Sequence, residues 1–255
     1  MDATQPQLPA VLDDPATEIA RLALRFHRAN GPVMKLMNRL GGRAEEAFAA
    51  LPQDIRSRIE TVTRKALEQG YRVAATGRHA PDLGPRGPMA LAALTGAAGG
   101  AGGLATSIAE LPVTITVMLH AIRRAAAEEG FDPDDEAVRI EAIRVFAAGS
   151  PLAADDGVNT GFMGARLTVT GPALQKVIAT AVPKLVSTLG PKLMAQSIPV
   201  LGALSGAALN TAFIGYYREI AHVRFGLLKL AERHGAEPVL SAFAKAVDHP
   251  KLGRA

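Results

Sequence analysis

Apolar residues recur every three to four positions along most of the chain, and no stretch alternates apolar with polar residues as a half-buried strand does. Residues 1 to 14, punctuated by Pro and Asp, read as a flexible lead-in, and the first helical pattern begins near Pro15. Between Leu51 and Gly77 the pattern sharpens. Pro52 suits a first helical turn, and Ile55, Ile59, Val62, Ala66 and Leu67 fall on one face of an amphipathic helix. His79 to Pro88 holds three Pro and two Gly and predicts a connecting loop. Asp132, Pro133, Asp134 and Asp135 mark a helix start that Val138, Ile140, Ile143 and Phe146 continue toward Gly149. From Pro172 onward the pattern predicts helical pieces broken at Pro183, Gly190, Pro191 and Pro199. An amphipathic stretch from Arg218 to Gly235 and a short C-terminal helix and tail over 237–255 follow.

Two uncharged stretches stand out from this periodic background. Met89 to Ile122 carries a single formal charge, Glu110, and 195–217 carries none. Gly96, Gly99, Gly100 and Gly103 make two overlapping G-x-x-x-G spacings in the first, and Gly202 and Gly206 make one in the second; these let helices approach closely or face lipid. Glu110 and Pro112 interrupt the first stretch. The expectation is therefore two consecutive buried helices, Met89 to Ala109 and Leu111 to Glu129, with insertion into lipid as the competing reading.

Composition narrows the picture to an all-α, single-core domain over 15–236 with glycine-rich buried helices. Of 255 residues, 48% are apolar but only 4% aromatic, with 25 Gly and no Trp, so packing must rest on aliphatic side chains and close backbones. The 28 basic and 24 acidic residues leave a net charge of +4, with no long basic run, which argues against nucleic acid as a partner. Absence of Cys excludes disulfides, thiolate metal sites and a cysteine nucleophile. The first residues lack the basic and apolar regions of a secretory signal, so a cytoplasmic location is expected.

Few residues are candidates for chemistry. Glu110 lies amid apolar residues just before Leu111 and Pro112, where a carboxylate can cap a helix start; the alternative is a general acid or base, with Arg166 as counter-charge. Glu219 and His222 form one E-x-x-H pair, but a bundle metal site needs a second copy and further carboxylates, so a surface polar pair is expected. Asn210 is a buried amide that must hydrogen-bond across helices or to a backbone carbonyl. No G-x-S-x-G, phosphate loop or dinucleotide fingerprint occurs, and no cofactor is expected.

The Gly-rich run into Glu110, Leu111, Pro112, Val113, Thr114, Met118 and Leu119, with Gly130 beyond, resembles the EcsC family. A second landmark agrees: Ile198, Pro199, Val200, Leu201, Gly202 and Ala203, then Gly206, Ala207, Ala208, Asn210, Thr211 and Phe213, with Ala221, Phe225, Leu230 and Gly235. The similarity spans about residues 50 to 235. It implies a bacterial helical protein, from a family named for a member encoded beside an ABC transporter and without an established molecular activity. His120 stands where an Arg is common, Phe162 replaces a Tyr, and Tyr216 and Arg224 occupy places where His often appears, which argues against His-dependent chemistry here. The expectation is a non-enzymatic protein at the cytoplasmic membrane face that binds lipid or a membrane protein. The alternative is a hydrolase-type or metal-dependent enzyme using Glu110, Arg166 and Glu219 with His222.

Overall fold

A computed structural model describes residues 14–30, 46–75, 103–148, 174–196 and 201–248, and all regular structure among them is helical. Helix α1 (Pro15–Ala29) begins where Asp14 accepts hydrogen bonds from the Ala16 amide and the Thr17 hydroxyl, both at 3.2 Å, with Pro15 in the first turn. Its apolar face is Ile19, Leu22, Ala23, Phe26 and Ala29. Helix α2 (Gln53–Ala75) starts where the Pro52 carbonyl accepts from the Arg56 amide at 3.2 Å, and it buries Ile59, Ala66 and Leu67 as its periodicity requires.

Helix α3 (Gly103–Glu128) ends at Gly130, whose φ of 96° only glycine adopts without strain. There the Gly130 amide bonds the Ala127 carbonyl and the Phe131 amide bonds the Ala126 carbonyl, each at 3.0 Å, which satisfies the last-turn acceptors. The acidic start of α4 (Glu136–Ala148) is as the sequence requires: Asp135 accepts from the Ala137 amide at 2.7 Å. Helices α5 (Leu174–Gln196), α6 (Leu201–His234) and α7 (Ala236–Asp248) complete the set, with Gly235 at φ 83° turning the chain between α6 and α7.

Packing centres on α3 against α6. Helices α2, α4 and α5 gather around α3, whereas α1 and α7 lie against α6 and against each other, where Phe26 and Phe243 meet edge to face at 6.0 Å. One continuous apolar cluster joins α1 to α7. The fold is thus all-α around one core.

Three expectations need correction. Helix α3 runs unbroken through Glu110 and Pro112 instead of splitting there. Pro112 removes one helical hydrogen bond, that to Ile108, but α3 is packed by four neighbouring helices and continues through it. Helix α5 likewise passes through Pro183, Gly190 and Pro191. The stretch from Arg218 is not simply amphipathic, because every residue from Ile220 to Leu228 is buried, so this part of α6 is enclosed on all sides.

Gly96, Gly99 and Gly100, with 89–102, 79–88 and Pro199, lie outside the described residues; Gly103 is the first residue of α3, and Gly202 and Gly206 sit in the opening turns of α6. Among the described residues, close approach is required at Gly190, where an added Cβ would meet the Phe48 ring at 2.5 Å, and at Gly226, where it would meet Leu22 at 2.6 Å.

Candidate functional site

Glu110 projects from α3 toward α6 and is 9% exposed. Its Oε1 accepts two hydrogen bonds, from the Thr114 hydroxyl one turn on at 2.8 Å and from the Asn210 side-chain amide of α6 at 2.6 Å. The two polar residues singled out in the uncharged stretches therefore find each other across the central helix pair, and Asn210 takes the interhelical option. The cap role for Glu110 does not hold, because residue 110 lies in the interior of α3. Its Oε2 is buried and has no hydrogen-bond partner among the described residues. Arg166, its expected counter-charge, lies outside the described residues.

Helical geometry places Glu110 at a border. At 100° per residue, Ser107, Leu111 and Thr114 flank it on one side and Thr106 and Val113 on the other. The first three are buried and the last two exposed, Val113 by 42%. Glu110 is thus one side chain away from an outward strip of Ala105, Thr106, Ala109, Val113 and Thr116 that carries no charge.

A second polar cluster closes the other end of α3. Glu128 and Glu129 sit at the negative end of the helix dipole, where acids are unfavourable without cations. Glu129 accepts from Arg21 of α1 at 3.1 Å, and its other oxygen lies 2.7 Å from His222 Nδ1 of α6. Glu128 pairs with Arg124 and Arg218, each at 3.3 Å, and lies 3.1 Å from His222 Nε2, though without hydrogen-bond alignment there. Burial alone would raise the Glu129 carboxyl, but hydrogen bonds from His222 and Arg21 outweigh it and bring it down to about 2. Deeper still, Arg224 donates to Glu141 at 2.7 Å, and Arg144 holds the other Glu141 oxygen at 3.2 Å.

Glu219 and His222 do not converge. Glu219 binds Arg25 of α1 at 3.0 Å, while His222, 1% exposed, turns to the end of α3, so the expected surface pair is in fact split between two interfaces. Among the described residues no group of three His, Asp or Glu is placed to hold a metal. The roles of Arg21, Arg25, Glu128 and Glu129 were not anticipated. The available signal was two adjacent acids at the end of an apolar helix, which demand cations from other elements.

These features define a class: an all-α protein built on a central helix pair, tied by a buried polar contact near one end of α3 and by a charged cluster at the other. The chain belongs to the EcsC protein family, whose model matches residues 86–227, more than half of its length. That span takes in both Glu110 and Asn210. Comparison with curated proteins and with solved structures gives no match.

Proposed function

We propose that this EcsC protein works by binding at the cytoplasmic face of a membrane, engaging lipid or a membrane protein, and not by catalysis. One observation carries the reading: the outward side of the first half of α3 is uncharged over Ala105, Thr106, Ala109, Val113 and Thr116, while its single ionisable residue turns inward to Asn210. Small apolar positions beside Val113 suit a bilayer boundary or an apolar partner surface. By length and composition alone α3 is long and apolar enough to cross a membrane, but most of its apolar stretch is packed inside the protein. Contact through one side fits this burial better than a span does.

The test is vesicle flotation of the full chain with Val113→Glu. Wild type is expected to float with vesicles and to leave native membranes on carbonate washing without detergent. Val113→Glu should float several-fold less with unchanged melting, since residue 113 is exposed. Flotation unaffected by the substitution would refute contact through this strip, and retention until detergent is added would mean insertion.

A further inference from the structure

We infer that the unpartnered oxygen of Glu110 is a binding site for a primary ammonium group, reached from the uncharged strip of α3. Resting on the membrane reading only for its source, the ligand is an aminophospholipid headgroup or a free amine of the same chemistry. Glu110 is held ready by others. Thr114 at 2.8 Å and Asn210 at 2.6 Å both donate to Oε1, which fixes the carboxyl plane and leaves Oε2 as a buried acceptor with no partner among the described residues. An unmade hydrogen bond at a buried acceptor is unfavourable, and a buried carboxylate without a cation more so. No described cationic side chain pairs with Glu110.

The acceptor selects its ligand. With Oε2 as an acceptor the incoming group must donate, and a positive charge on the donor also balances the acid. A quaternary ammonium has no N–H and fails this requirement. A divalent metal needs several oxygen or nitrogen ligands, and no such cluster exists among the described residues. The nearest exposed positions set the entry side: Oε2 is itself closed off from solvent, and Thr106 and Val113, which flank Glu110 and are exposed, are small enough to be displaced by an incoming group. An alkyl ammonium can lie along this uncharged strip with its nitrogen turned to Oε2.

The experiment compares flotation of the full chain with vesicles of phosphatidylglycerol mixed with either phosphatidylethanolamine or phosphatidylcholine, for wild type and Glu110→Gln, with calorimetry on ethanolamine as the soluble arm. Gln keeps an acceptor for Thr114 and Asn210 but presents an N–H where the ammonium would arrive. Wild type is expected to bind the ethanolamine vesicles roughly tenfold more tightly, as one charge-assisted hydrogen bond allows. Glu110→Gln should bind both mixtures at the lower level. Equal binding of the two mixtures by wild type, or a preference retained in Glu110→Gln, overturns the ammonium site while leaving the membrane reading standing. Binding of ethanolamine that depends on Glu110, without vesicle binding, supports the site with a free amine as source and sinks the membrane reading. Failure of both arms removes both. Should Glu110→Gln not fold, wild type answers alone: ethanolamine vesicles must protect Glu110 from a hydrophobic carbodiimide more than choline vesicles do, and equal protection refutes the site.

Discussion

Gly190 of α5 and Gly215 of α6 both sit in helix interiors, yet their surroundings call for opposite responses to a single methyl group. At Gly190 a Cβ would lie 2.5 to 2.6 Å from three atoms of the Phe48 ring, which is rigid and cannot bend aside as an aliphatic tip does. At Gly215 nothing lies within 4 Å of that position. Gly190→Ala is therefore expected to destabilise by about 1–3 kcal/mol through overpacking. Gly215→Ala should stabilise by about 0.5–1 kcal/mol, because alanine loses less backbone freedom on folding. Thermal melts of the two variants decide the matter, and shifts of the same sign would contradict this account of α5. Spacing along the chain does not single these positions out: Gly190 and Gly226 are needed because Phe48 and Leu22 point at them.

Where α1, α3 and α6 converge, the link is electrostatic and therefore sensitive to acid. The folded Glu129 carboxyl lies at about 2 against an ordinary value of 4.5, so its contribution is fully present above 4.5 and is lost as pH falls toward 2. Melting temperature should accordingly drop on acidification through that window, and Glu129→Gln should melt lower at pH 7 but change less between pH 4.5 and 2. A variant with the full wild-type acid dependence would show that other carboxylates carry it. Helix existence was legible where one face alone is apolar: the Leu51, Pro52 start, the Ile59 and Leu67 face and the Asp135 start all stand as read. Helix ends were misread at Pro112, Pro183 and Pro191, because local breaker chemistry is weaker than burial on several sides at once. Of the site, Glu110 and Asn210 could be named from their isolation among apolar residues, but not their mutual bond, since residues one hundred positions apart show no local pattern. His222 and Arg224 looked like the polar side of a surface helix. Their burial becomes visible only with Glu129 and Glu141 beside them.

The whole molecule is organised by separation along the chain as much as by shape. Helices α2 and α3, and α4 and α5, are close in both sequence and space, whereas α1 has its main packing with α6 and α7. Contacts that close long loops form late in folding. Pulsed hydrogen exchange during refolding should show amides of α1 gaining protection only together with those of α6 and α7; early protection of α1 alone would contradict this order. The same arrangement has a consequence during synthesis. Ile19, Leu22, Ala23 and Phe26 leave the ribosome well before the helix that packs on them, which is complete only at His234. At ordinary rates of translation, that interval is roughly 10–40 s. For that time the nascent chain carries the apolar face of α1 without α6 to cover it, so a holding chaperone that recognises short aliphatic segments has a persistent target there.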